Sequence, residues 1–356
     1  MLQRLTPLAL GLALSWTAPG QQPPVPASRT TERSYSGGSA APARITQSRS
    51  ESGGRVVVTE TVQTPGSDGR LKTTTETTTE TVRTASGDVQ IKQEIFGRDA
   101  QGRPQRIQQT QTEQQTRPDG SSRSVENTLA PDLNGRLSLS LRQVEETRSM
   151  GPNIKQTDTT ISRPGMNAAM TEAERVETIE RQVRAGLIQT ESTRFVRGAN
   201  GQWQTAESHS KEVQKTGSEQ LEEETIRRLD ASGTLSLSER NVTRRSSANG
   251  REEVVTETFS RSVAGGVLRS VGTLDLNERR RVTTTSAADG SRQTIEDVEK
   301  RSLASPGDPL RVVERTIETM RQVGPDRWET ERQVLALDGN GRLVPVLTDR
   351  GQSSAK

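Results

Sequence analysis

Residues 130–151 read APDLNGRLSLSLRQVEETRSMG. Asp132-Leu133-Asn134-Gly135 is a chain reversal: Asp and Asn bond their own backbone, and Gly accepts a positive φ at no steric cost. Beyond it Leu137, Leu139 and Leu141 alternate with Ser138 and Ser140, the period of two of an extended strand. The same turn returns as DAQGR from Asp99, DASGTL from Asp230 and DGNGRL from Asp338, with relatives at GANGQW (198–203) and DLNERR (from Asp275). Between them stands a shorter signal: SDGR at Ser67, PDGS at Pro118, KTGS at Lys215, ANGR at Ala248, ADGS at Ala288 and SPGD at Ser305. The step from Gly102 to Gly135 is 33 residues, with Gly120 between them. A fixed period of this kind marks a repeat architecture, and each unit reads as one β-hairpin.

The segments between turns agree. KTTTETTTETV (72–82) is almost wholly Thr and Glu, and Thr favours the extended chain. The sequence predicts an all-β fold: a long antiparallel meander of hairpins with a period of about 33 residues, elongated and twisted or rolled, its sheet largely polar. Two stretches also fit a helix. Met170, Ala173, Val176, Ile179 and Val183 recur at spacings of three and four, as do apolar residues of VERTIETMRQVG (313–324), so short helices are a competing expectation at 168–185 and 312–323.

Composition explains why the sheet must be polar. Apolar residues make up 28 % and aromatics 2 %, against the roughly 45–50 % apolar content of ordinary globular domains. Charged residues are 27 % yet the net charge is only +3, so opposite charges are finely mixed. Low hydropathy with balanced charge points to a solvated folded surface; high net charge is the mark of disorder. A pI near 9.5 rests on three excess basic groups and argues no nucleic-acid partner. Cysteine is absent and His209 is the single histidine. That removes disulfides, thiol nucleophiles, thiolate metal sites and polyhistidine metal sites.

MLQRLTPLALGLALSWTAPGQQ opens with Arg4, an apolar stretch from Leu5 to Trp16, then small residues and Pro. This is the pattern of a signal peptide, too short to span a bilayer. The expected organisation is a signal peptide at 1–18, a disordered Pro/Gly/Ser-rich spacer at 19–53, the hairpin domain at 54–347 and a disordered tail at 348–356. Localisation is then extracytoplasmic (periplasmic, cell surface or secreted), with no transmembrane segment once the signal is removed.

No catalytic constellation emerges. A calcium loop wants oxygen ligands at alternate positions, and Arg136 and Arg342 stand where one is needed. The acidic pairs Glu145/Glu146, Glu222/Glu224 and Glu252/Glu253 sit on strands with no predicted cleft. A surface for a ligand is sought in Arg240, Arg244 and Arg245, with Trp203 and Trp328 as platforms or gap fillers. His209 is expected on an exposed strand. No cofactor or metal is expected.

The DxxGR hairpins resemble the repeats of bacterial Tyr-Asp repeat shells in their turns alone, because the single Tyr35 lies in the spacer. They are more similar, from about Gly54 to Leu347, to secreted bacterial proteins built from alternating DxxGR and PDGS hairpins. That resemblance implies a fold and a compartment, and carries over no activity and no site residues. The functional expectation is a non-enzymatic envelope or extracellular scaffold or adhesive surface. Alternatives are a binding module for anionic glycans or envelope polymers and a largely disordered secreted linker. Partners would be polysaccharide, another envelope protein, or further copies added through edge strands.

Overall fold

The computed structural model describes residues 28–35, 43–66, 68–99, 101–165, 167–198, 200–230, 232–261, 274–302, 308–324 and 327–354. The strands are β1 (Ser28–Tyr35), β2 (Ala43–Ser52), β3 (Arg55–Pro65), β4 (Leu71–Arg83), β5 (Val89–Arg98), β6 (Pro104–Thr116) and β7 (Ser122–Pro131). They continue as β8 (Leu137–Gly151), β9 (Ile154–Pro164), β10 (Met170–Arg184), β11 (Leu187–Arg197), β12 (Trp203–Thr216), β13 (Glu219–Leu229) and β14 (Leu235–Ala248). The last are β15 (Arg251–Ser260), β16 (Asp275–Ser286), β17 (Arg292–Lys300), β18 (Arg311–Gly324), β19 (Arg327–Leu337) and β20 (Leu343–Ser354). All belong to one 20-stranded antiparallel sheet in which each strand pairs with its sequence neighbours.

The turns at one end share one backbone pattern. In 99–103 the Gly102 N–H donates to the Asp99 carbonyl at 2.9 Å and the Asp99 N–H to the Arg103 carbonyl at 3.0 Å. Gly102 lies at φ 77°. This is a type I turn closed by a glycine bulge. It recurs at 66–70, 132–136, 165–169, 198–202, 230–234 and 338–342 on that end, and at 84–88, 117–121 and 287–291 on the other. The two turn signals of the sequence therefore collapse largely into one geometry. Among the described residues the exceptions are two-residue turns at 53–54, 152–153, 185–186, 217–218 and 249–250, the last with Asn249 at φ 50° before Gly250 at φ 75°.

Of the hairpins that close at the first end, all but β1–β2 carry one bulge in the second strand. Thr74, Ile107, Ser140, Ala173, Ala206, Ser238, Asn277, Val313 and Val346 are the extra residues, the first six at steps of 33 and then 32. Where the extra residue is a hydroxyl it hydrogen-bonds the facing strand: Thr74 to the Val62 carbonyl at 3.1 Å, Ser140 to Thr128 at 2.9 Å and Ser238 to Ile226 at 3.0 Å. Arginines grip the same place from outside. Arg98, Arg197 and Arg301 donate to the carbonyls of Thr73, Glu172 and Leu276 at 3.0–3.1 Å.

β1 is hydrogen-bonded to β2 on one side and to β20 on the other. The ladder Ser28–Tyr35 against Leu347–Ser354 joins the two ends of the meander, so the pairings form a ring. Of the elongated and rolled forms that the sequence leaves open, this is the rolled one. The end strands are each other's partners, which leaves no free edge of the kind self-association through edge strands requires.

Three further expectations change. The spacer 19–53 contains β1 and β2, and the tail 348–356 contains the end of β20 through Ser354. Neither segment has an apolar period, but a sheet of this kind asks only for ladder partners, and β1, β2 and β20 have them on both sides. The described residues between Ser28 and Ser354 are therefore strands and turns and no disordered linker. The helical alternatives at 168–185 and 312–323 are strands β10 and β18. Val176 and Ile179 stand on opposite faces of β10, which costs little because neither face seals a dry core. The signal peptide at 1–18 lies outside the described residues.

The faces follow from register. Thr294 stands opposite Glu318, Glu318 opposite Arg332 and Arg332 opposite Asp349, and this row lines a concavity. It marks the inner face, which elsewhere carries the paired row Thr79, Gln93, Thr110, Thr128. The outer face carries Arg–Glu pairs at mid-strand and apolar residues next to the first end, such as Phe96, Leu129, Leu139, Phe195 and Phe259. The only apolar side chains that are buried among the described residues are Ile226, Val242 and Val334. Backbone ladders hold this sheet, aided by cross-strand pairs worth about 0.2–1 kcal/mol each.

Candidate functional site

The arginines singled out in the sequence do not form one patch. Arg240 and Arg244 lie on the outer face of β14, and Arg245, one residue on, points inward because side chains alternate along a strand. Each has a carboxylate. Arg240 meets Glu223 at 2.9 Å, Arg244 meets Glu257 at 3.0 Å and Arg245 meets Glu252 at 2.7 Å. A polyanion would have to displace those carboxylates. The guanidinium carbons of Arg175 and Arg197 lie 4.6 and 4.7 Å from the Trp203 ring, so two cations already stack on it. Trp328 reaches two strands across to the turn at 287–291, close enough that a Cβ on Gly290 would touch its ring at 3.4 Å. Trp203 on β12 and Trp328 on β19 thus stand on different strands from the arginines of β14.

The turn aspartates face their own backbone. The Asp99 carboxylate accepts from the Gln101 and Arg103 amides at 2.9 and 2.8 Å. The Arg103 amide, helped by its side chain, holds this carboxyl below the usual range.

His209 is half-buried on the inner face of β12, contrary to the exposed position expected for it. Its ring nitrogens lie 2.6 Å from Glu207 and 3.1 Å from Glu224. Glu207 also binds Arg228 at 2.7 Å, and Asn241 bridges Glu224 to Glu239. Burial draws the imidazole pKa down, but the two carboxylates outweigh it and the net shift is upward. Every member of this network is already satisfied.

A second inner-face feature is open. β17, β18, β19 and β20 on one side of β1, and β2 and β3 on the other, line a common cavity of about 470 Å³. Its carboxylates are Glu60, Glu296, Glu318 and Asp349, against the single guanidinium of Arg332. Glu296 is paired with Arg280 at 2.5 Å, and Arg332 approaches Asp349 at 3.9 Å. Arg332 also stands opposite Glu318 across the β18–β19 ladder. Thr316 is 9 % exposed and lines the cavity. No local motif announces these residues; the β1 ladders bring together stretches more than 230 positions apart.

No protein-family model and no curated protein matches this chain. Solved structures with a similar course of strands share little sequence with it. The siderophore receptor PirA from Pseudomonas aeruginosa is 9 % identical with a TM-score of 0.42, over 92 % of this chain and 79 % of its own. OccK3 (OpdO) from the same organism is 10 % identical with a TM-score of 0.40, over 91 % and 92 %. A Bacteroides fragilis protein of unknown function is 11 % identical with a TM-score of 0.26, over 46 % and 89 %. These likenesses are too weak to transfer a location or an activity.

Proposed function

We propose that this is a non-enzymatic structural protein of the bacterial envelope's aqueous spaces: a hydrophilic β-ring that serves as a scaffold and is not embedded in lipid. The charge on its outer face carries this reading. A bilayer-spanning barrel presents an outward apolar band about 25 Å tall, and each Arg or Lys at its midplane costs about 2–4 kcal/mol. Here mid-strand outer positions hold Arg240–Glu223, Arg279–Glu257, Arg315–Asp297 and Arg350–Glu331, at 2.6–3.2 Å. Apolar outer residues cluster beside one set of turns, and those at mid-strand, such as Val242 between Arg240 and Arg244 and Ile295 beside Asp297, alternate with these charges and form no continuous band. The extracytoplasmic compartment rests on the leader read at residues 1–18.

Expression of the chain from residue 19 tests this. The expected product is soluble without detergent, shows a β-sheet circular dichroism spectrum, and stays at the bottom of a vesicle flotation gradient. Extraction only in detergent, together with conductance steps in planar bilayers, would overturn the reading.

A further inference from the structure

We propose that Asn249 is a self-modifying site: in the folded protein its side-chain amide is replaced by a carboxylate through a cyclic imide formed with Gly250, ahead of the other Asn-Gly pairs of the chain. Four such pairs occur, at Asn134, Asn200, Asn249 and Asn340. Glycine is the follower that permits the reaction, because without a Cβ its backbone nitrogen is open to approach. All four asparagines are exposed, so access of water does not discriminate among them. The nucleophile does. Gly135, Gly201 and Gly341 each donate their N–H to a turn carbonyl, of Asp132, Gly198 and Asp338, at 2.9–3.0 Å. Among the described residues the Gly250 N–H donates to no backbone carbonyl, because the pairing of Ala248 with Arg251 closes its two-residue turn around it. Asn249 is also the one of the four at positive φ, 50°, where a side chain is crowded by its own backbone.

Water is the only co-reactant. The Gly250 nitrogen gives up its proton to solvent and attacks Cγ of Asn249. The N–Cγ bond forms, the Cγ–Nδ2 bond breaks, and Nδ2 leaves as ammonia with a proton taken from water. A second water then opens the imide. Cleavage at Cγ yields aspartate. Cleavage at the main-chain carbonyl yields isoaspartate, whose backbone runs through Cβ and Cγ and is one methylene longer. The longer backbone cannot keep this turn, since Gly250 is packed at the end of β16. Its carbonyl accepts from the Ser286 N–H at 2.9 Å, and a Cβ on it would lie 3.0 Å from the Ser286 carbonyl oxygen. Isoaspartate at 249 therefore releases the Ser286 amide and adds a negative charge at that end of the ring.

Mass spectrometry of tryptic peptides, from the chain expressed from residue 19 and aged in mildly alkaline buffer, reads each site separately; the peptide Ser246–Arg251 reports Asn249. With no hydrogen bond to hold the nucleophile's proton, Asn249 should turn over about two- to tenfold faster than Asn134, Asn200 and Asn340. In urea, where the turns are lost, the four rates should converge. Asn249→Gln, whose longer side chain closes the ring slowly, should remove the fast phase of ammonia release and keep the β-sheet spectrum. The Ser286 amide should exchange its hydrogen faster in the isoaspartyl fraction than in fresh protein. Four equal rates in the folded chain, the same order of rates in urea, or a fast ammonia phase that survives Asn249→Gln would overturn the site. Unchanged exchange at Ser286 would overturn the loosening of the turn.

Discussion

Ala168 stands at φ 61°, where its counterparts Gly102, Gly135 and Gly201 lie at 75–77°. A Cβ in this region costs about 1–2 kcal/mol, and glycine gives back about 0.5–1 kcal/mol through the unfolded chain. Ala168→Gly should therefore stabilise the protein by roughly 0.5–1 kcal/mol, read as a higher urea midpoint. The reverse change depends on surroundings. A Cβ at Gly102 meets nothing within 4 Å, whereas at Gly186 it meets the Lys215 carbonyl oxygen at 2.6 Å. Gly186→Ala should be the more damaging of the two by at least about 1 kcal/mol. His209 gives a pH test at the same scale. Its folded pKa lies above the unfolded value of about 6.5, so its contribution is complete below that value and is lost as pH rises through the folded one. The chain has one His and no Cys, so no other side chain with an ordinary pKa titrates between about pH 6 and 8. The urea midpoint should fall across that window and the fall should vanish in His209→Gln; an equal fall in the variant would assign it elsewhere.

At the scale of the hairpin, the bulge decides which face the residues near the turn present. In β7 and β8 Thr128 opposes Leu141 and Leu129 opposes Leu139, so Ser140 is extra and Leu139 and Leu137 turn outward. Ser140→Ala removes only the bond to the Thr128 carbonyl, worth about 0.5–1.5 kcal/mol. Deleting Ser140 is different in kind, because a slip of one residue moves every side chain beyond it to the other face. Hydrogen exchange should show β7 and the start of β8 losing protection in the deletion and keeping it in the alanine variant. The Leu137/Leu139/Leu141 alternation is readable as a strand from the sequence alone. The bulge within it is not readable, since Ser140 has the composition of any strand serine and acquires its role from the partner strand.

For the whole molecule the count of strands matters. An antiparallel ring closes only with an even number, and β1 is the strand that closes it. Without residues 28–42, β2 and β20 run in the same direction and cannot pair antiparallel, so two edges are left open. Light scattering should then show self-association of the truncated chain, driven by edge pairing; a stable monomer would mean that the β1 ladders contribute little. The inner cavity should disappear with β1.

Turn chemistry, strand character and the absence of a thick core are local or compositional properties, and the sequence settles them without help: Asp and Gly dictate reversals, Thr favours extension, and 28 % apolar residues cannot fill an ordinary interior. Closure is another matter. Ser28–Tyr35 looks like linker because its neighbours in sequence offer it nothing; its hydrogen bonds come from β2 and β20, the latter more than 300 residues away. Facing is likewise decided in three dimensions. Arg244 and Arg245 are adjacent in sequence and lie on opposite sides of the wall, while Glu60 and Glu318 are distant and share a cavity. Local chemistry acts over a few residues. A ring's shape is a sum over every ladder, and only the folded structure performs it.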